Sequence, residues 1–236
     1  MKNSETVAIG FVDHGTVRGE FAHDLFLLGA SRPGRFTGIC NTQDNLISRG
    51  RNTVVKNFLE SRADWLFFLD ADQRFRPETF DALVEVADAE ERPVVTGLYF
   101  AIAKIPGLLY PLPTPTVFTR TPGERNRYDS ITHYPPNATI QVDACGAGVL
   151  LVHRSVFEKI SELAAPEYET CWFQDRPLPD GDWIGEDIDF CQKVASAGIK
   201  IFCHTGAVSP HIKNYLVEEE HFEQSRSYLE SLGHPL

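Results

Sequence analysis

The stretch Trp65-Leu66-Phe67-Phe68-Leu69-Asp70-Ala71-Asp72 limits this chain most. Five consecutive apolar residues bounded by polar ones describe a strand buried on both faces, the kind found in the middle of a parallel sheet. The strand stops at two carboxylates separated by one alanine. In open α/β sheets ligands bind beyond the carboxyl ends of the strands. Alternate strand residues point the same way, so Asp70 and Asp72 can face one hard divalent cation if the strand geometry persists through them. Two carboxylates that close repel unless a cation or proton relieves them.

The rest of the chain supplies a frame for such a strand. Thr6 to Val12 and Phe36 to Cys40 read as strands, and Glu20 to Leu28 as a helix between them. Ser48 is placed to cap a helix that runs to about Arg62, with Val54, Val55, Phe58 and Leu59 on one face. Pro77 opens a further helix, and Pro93 to Phe100 returns as a strand. This alternation predicts an α/β fold, a mainly parallel twisted sheet with helices on both faces. Residues 101–137 interrupt it with seven prolines, Pro106 to Pro136, and read as a functional loop region. Order resumes with strands at Thr139 to Val142 and Ala147 to Val152 and a helix from Ser155 to Leu163. A helix from Glu186 to Ala197 ends at Gly198, and a last strand spans Ile199 to Cys203. Glu218 to Leu232 has the pattern of a charged amphipathic helix.

Composition narrows the function classes. A net charge of −11 argues against a broad nucleic-acid surface, because phosphate neutralisation needs Lys and Arg. A local basic groove from Arg120, Arg125 and Arg127, with Tyr128 and His133, stays open. The five cysteines form no CxxC pair and are odd in number, which speaks against a zinc site or disulfide framework. No run reaches the roughly 18 apolar residues of a membrane span, and the N-terminal apolar run is too short for a signal peptide. A cytoplasmic protein is expected.

Four further groups carry candidate chemistry. Gly185-Glu186-Asp187-Ile188-Asp189 opens a helix, where acids satisfy free amides and the helix dipole. That role explains at least one acid and leaves Asp187, or Glu186, as a general base for an acceptor hydroxyl. His211 follows the last strand and can reach the rim of Asp72 as a ligand for a manganese-like ion, with His204 as its competitor. Arg51-Asn52, at a helix start, suits phosphate or base edges, or a plain salt bridge with Asn52 on backbone. Gly146 and Gly148 before a strand admit close approach of a ligand, or make a simple bulge or turn.

Taken in order, Arg51-Asn52, Leu69-Asp70-Ala71-Asp72, Gly146-Ala147-Gly148, Gly185-Glu186-Asp187 with Phe190-Cys191, and His211 resemble the family-2-like glycosyltransferases of the GT-A fold. The short, single-domain forms of bacteria and their phages are the nearest pattern. The resemblance covers roughly residues 5–212 and implies one domain over 1–236. Within it, 5–100 would bind the nucleotide, 101–212 the acceptor, and 213–236 would form a C-terminal helix. It further implies Mn2+ or Mg2+ held by Asp70, Asp72 and His211, with Asp70 alternatively on the ribose. Ala71 falls in the same donor-binding stretch. Asp13 would lie near the nucleoside, Arg51 and Asn52 at the nucleotide, Gly146 and Gly148 at the sugar and acceptor pocket, and Asp187 at the place of the catalytic base. The implied partners are a nucleotide-sugar donor, a UDP-sugar first, and an acceptor on a saccharide, a protein or a hydroxymethylated DNA base. Asp13-His14 replaces the proline-containing start of many members, and Gln73 stands where many have a carboxylate or Met. A nucleotidyltransferase and a non-catalytic sugar-nucleotide-binding protein are the alternatives.

Overall fold

The computed structural model describes residues 1–2, 4–103, 112–124, 126–214 and, singly, 219, 223, 226 and 231. Apart from those single positions, the helix expected over Glu218 to Leu232 lies outside the described residues, as does Arg125. The first half runs β1 (Val7–Asp13), α1 (Gly19–Ser31), β2 (Phe36–Gln43), α2 (Ile47–Glu60), β3 (Trp65–Leu69), α3 (Pro77–Val86) and β4 (Val94–Leu98). Short strands follow: β5 (Phe100–Ala103), β6 (Leu112–Pro115), β7 (Val117–Arg120), β8 (Tyr128–Ser130), β9 (Thr139–Val142) and β10 (Ala144–Cys145). The chain continues through β11 (Val149–His153), α4 (Arg154–Leu163), a short hairpin of β12 (Arg176–Pro177) and β13 (Trp183–Ile184), α5 (Glu186–Ser196) and β14 (Ile201–Val208).

Seven strands form one sheet in the order β2-β1-β3-β11-β4-β14-β9. β1 is parallel to β2 and β3, and β14 is parallel to β4. β11 runs antiparallel between β3 and β4, and β9 antiparallel at the edge. Five strands therefore share a direction and two oppose it, a mostly parallel mixed sheet. Strands from both parts of the chain interleave, since β11 separates β3 from β4.

Period-2 alternation divides the apolar side chains between two cores. Trp65, Phe67 and Leu69 of β3 face a core with Phe21 and Leu28 of α1 and Phe80 and Leu83 of α3. Leu66 and Phe68 face the other, with Val54 and Phe58 of α2, Phe157 of α4 and Phe190 of α5. Helices thus cover both faces, which is why β3 reads as an unbroken apolar run.

Three local expectations change. α2 begins at Ile47 with Leu46 in the capping position, not at Ser48. Asp44 supplies the polar end instead, accepting from the Leu46 N–H at 2.9 Å and gripping Arg49 at 2.6 and 2.7 Å. β14 extends five residues beyond Cys203, because its inward positions Cys203, Thr205 and Ala207 remain buried. The proline-rich region is not all loop: β5 pairs with β6, and β7 with β8 and β10, outside the main sheet. Prolines are tolerated in such short edge strands.

Gly10 sits where β1 passes under α2. A Cβ there would lie 2.6 Å from Val54 Cγ1 and 2.9 Å from Leu66 Cδ1. We expect Gly10→Ala to cost about 1–3 kcal/mol by overpacking, read as a lower urea midpoint with an unchanged denaturant slope. An unchanged midpoint would show that this contact is loose.

Candidate active site at the carboxyl ends of the strands

β3 ends at Leu69 and the chain turns through Ala71 and Asp72. The strand alternation that would aim Asp70 and Asp72 at one point is therefore broken, and the two carboxylates go separate ways. Asp70 Oδ1 accepts from Arg51 Nη2 at 2.7 Å. Asp72 Oδ2 lies 3.1 Å from His211 Nε2 and 2.7 Å from Lys213 Nζ. Among the described residues, no three His, Cys, Asp or Glu side chains gather closely enough to hold an ion. The expected trio of Asp70, Asp72 and His211 narrows to the pair Asp72 and His211.

Backbone pairing fixes that pair. The segment after β14 runs beside the turn after β3: Gln73 and His211 bridge, Ile212 N–H donates to Asp72 O at 2.8 Å, and Arg74 N–H donates to Pro210 O at 2.8 Å. Ser209 Oγ donates to Gln73 Oε1 at 2.9 Å. His211 Nδ1 lies 2.9 Å from Phe100 O. A carbonyl only accepts, so Nδ1 carries the proton, and Nε2 faces the Asp72 carboxylate. Two lone-pair donors 3.1 Å apart need a proton or a cation between them. Adjacent ligands of an octahedral ion bound at about 2.1 Å stand about 3.0 Å apart, so the pair fits one edge of such an ion. His204 is no rival: it lies within β14, half-buried, its Nδ1 3.3 Å from Thr139 Oγ1. Burial pushes the Asp72 carboxyl upward, but hydrogen bonds and charge from His211 and Lys213 prevail and bring it down to about 2.

A cleft of about 400 Å3 adjoins Asp72, lined by Val12, Asp13, Arg18, Ile47 and Ala71. Asp13 and Ala71 therefore share a concavity with Asp72. The Asp13 carboxylate also closes the turn after β1 by accepting from Gly15 N–H at 2.7 Å.

A second cluster stands at the start of α5. Arg51, on the first turns of α2, is buried, and its guanidinium donates to both Asp70 and Glu186. The expected nucleotide contact of Arg51 is thus replaced by an internal ion pair, the plainer alternative. Asn52 is used on backbone: its Oδ1 accepts from Trp172 N–H at 3.0 Å and Phe173 N–H at 2.9 Å, and its Nδ2 donates to Phe173 O at 2.8 Å. It fastens the 172–173 loop to α2, both lone pairs of its oxygen taken and one N–H of its amide left over. Burial raises the Asp187 carboxyl above the usual range; Arg51 and the Ile188 N–H pull it down, and Asp70 adds to the rise. Glu186 is also raised, by burial first, with Arg51 opposing and Asp187 reinforcing. Asp189 is neutralised by Arg176 and Lys193, each at 2.6 Å.

Gly146 and Gly148 have an intramolecular reason. A Cβ on Gly146 would overlap the Tyr99 hydroxyl, and one on Gly148 would stand 2.9 Å from both Asp70 Oδ2 and Tyr99 Cζ. The close approach is that of Tyr99, whose oxygen accepts from Gly148 N–H at 3.1 Å and whose ring edge meets His211 at a centroid distance of 5.4 Å. Sequence reasoning missed Tyr99, one more apolar-strand terminus, and Lys213, whose only signal is its place two residues after His211. In the proline-rich region Arg120 stacks on Tyr128 at 5.7 Å, Arg127 pairs with Glu124 at 3.7 Å, and His133 meets Thr132. Those side chains have local partners.

The sequence model of Glycosyl transferase family 2 matches residues 20–160, more than half of the chain. That span holds Arg51, Asp70, Asp72, Gly146 and Gly148, while Asp13, Glu186, Asp187 and His211 lie outside it. A search of curated proteins finds no match. Among solved structures the chain is similar to A197 from STIV, with a TM-score of 0.54 and 20% identity over 89% of this chain and 86% of that one. It is also similar to GalNAc-T7, crystallised with UDP, GalNAc and Mn2+, with a TM-score of 0.58 and 12% identity. That likeness covers 91% of this chain and 45% of the other, so the chain spans less than half of GalNAc-T7. At these identities the likeness is one of fold.

A carboxyl raised by burial destabilises the fold while it is charged, and the penalty disappears once it is protonated. We therefore expect Asp187→Asn to raise unfolding stability by about 1 kcal/mol at neutral pH, with the gain shrinking as pH falls through the raised range. Thermal melts at several pH values check this. A variant less stable than the parent at neutral pH would contradict the assigned burial cost.

Proposed function

The chain belongs to glycosyl transferase family 2 and has the GT-A fold, and on that premise we propose that it moves a sugar from a nucleotide-diphosphate donor to an acceptor hydroxyl in a divalent-metal-dependent reaction. The observation that carries the metal-dependent reading is the Asp72 carboxylate facing His211 Nε2 at 3.1 Å on the rim of a cleft. The donor's nucleoside enters that cleft between Asp13 and Ala71. Asp72 and His211 would hold Mn2+ or Mg2+, with the donor's own phosphate oxygens completing the shell, the usual way Mg2+ is bound at phosphate sites. When bound, the ion would supply positive charge against the diphosphate leaving group. Mn2+ and UDP in the GalNAc-T7 structure support this choice of ion and donor class.

The protein's own residues supply the rest. Asp187 accepts the proton of the acceptor hydroxyl; its raised affinity for a proton suits a base working near neutral pH. The hydroxyl oxygen then attacks the anomeric carbon in line with the departing diphosphate, through an oxocarbenium-like transition state, and the configuration inverts. Arg51 holds Asp70 and Glu186 in place by donating to both, and its charge opposes the rise that burial imposes on Asp187.

A hydrolysis screen over UDP-, GDP- and dTDP-sugars with Mn2+ tests this without knowledge of the acceptor. Release of nucleoside diphosphate that requires the metal, and its loss in Asp72→Asn, is the expected result. Release of pyrophosphate, or undiminished turnover in Asp72→Asn, would overturn the assignment. With an acceptor in hand, Asp187→Asn should lower kcat by about 10²–10⁴-fold and leave donor binding nearly intact; loss of donor binding instead would remove Asp187 from the role of base.

A further inference from the structure

Lys213 has no part in the reaction as described, yet its ammonium lies 2.7 Å from Asp72 Oδ2, the oxygen that also faces His211. Among the described residues it has no other partner, and its side chain is 37% exposed. The backbone before it is pinned, because Ile212 N–H donates to Asp72 O at 2.8 Å. The side chain beyond is held by charge alone. The next residue, Asn214, accepts from Arg18 Nη2 at 3.3 Å, and Arg18 lines the cleft beside Asp72. Two cations of this chain thus stand at the mouth of the donor cleft, one seated on the carboxylate a metal ion would use.

We propose that Lys213 is a tethered counter-ion that occupies Asp72 while the donor site is empty and passes to the donor's diphosphate when the metal and donor enter. This rests on the donor-site reading above. An ammonium and a divalent ion cannot share the same lone pairs of one carboxylate oxygen, and like charges at that distance repel. The incoming diphosphate offers the displaced ammonium a new anion, and a Lys on a flexible stem binds phosphate as a point charge. Lys213 therefore opposes metal binding in the empty site and favours nucleotide binding in the loaded one.

The opposite signs are the test. Free Mn2+ is titrated by electron paramagnetic resonance against the full chain, its Lys213→Met variant and its Lys213→Arg variant, without nucleotide. Binding of UDP and GDP at saturating Mn2+ is then measured by calorimetry. Lys213→Met should bind Mn2+ about two- to fivefold more tightly, the scale of a half-exposed ion pair removed. It should bind the nucleoside diphosphate about tenfold more weakly, the scale of one charge-assisted hydrogen bond lost. Lys213→Arg should stay near the parent in both. Equal Mn2+ affinity in parent and Lys213→Met, or a fall in both affinities, would overturn the counter-ion role. A parent that binds no Mn2+ with or without nucleotide would overturn the metal reading beneath it.

Discussion

The buried guanidinium of Arg51 holds the two halves of the site together. It joins Asp70, at the end of β3, to Glu186, at the start of α5, residues far apart in the chain. Asp187 stands close enough to feel its charge. Without a cation in that corner, three acids would face one another in a medium of low dielectric, where repulsion is strong and desolvation costly. Arg51 is itself kept charged by those acids, against the burial that would otherwise disfavour it. Phe173 lies under the guanidinium at 5.8 Å, and Asn52, its neighbour on α2, fastens the 172–173 backbone that places that ring.

Two corners of opposite design result. On one side the acids Asp70, Glu186 and Asp187 surround a single buried cation. On the other, the single carboxylate of Asp72 is surrounded by His211 and Lys213. Tyr99 runs between them: its ring meets His211, its oxygen takes the Gly148 N–H, and the glycines at 146 and 148 leave it room. Side chains separated this way can hold different proton affinities, Asp72 brought down to about 2 while Asp187 is pushed up. Under the proposed mechanism, that separation would let one carboxylate remain an anion for a metal while another exchanges a proton with substrate.

The fold was legible wherever one local pattern decided the matter. β3 and β11 are apolar on both faces because helices cover both, and α2 and α3 present one apolar stripe each. The nearness of His211 to Asp72 was legible because both follow strands that end at the same edge of the sheet. The extension of β14 carried a signal that went unread, the alternation of Ile201, Cys203, Thr205 and Ala207, masked by polar His204 and Gly206. Other features had no local signature. The turn that parts Asp70 from Asp72 depends on the pairing of 72–74 with 210–212. The partners of Arg51 lie on distant elements, and among the described residues the short strands of the proline-rich region pair with one another and with β10. Nothing near Tyr99 in sequence marks it as the wall between two corners.

On the proposed reading, Asp72 and His211 form one edge of a cation site facing a donor diphosphate. Anomalous diffraction from crystals of the full chain grown with Mn2+ and UDP addresses it directly. The expected result is a manganese peak in coordination distance of Asp72 Oδ2 and His211 Nε2, with phosphate oxygens on its far side. A manganese peak elsewhere, or a bound nucleotide with no metal beside these two residues, would contradict it.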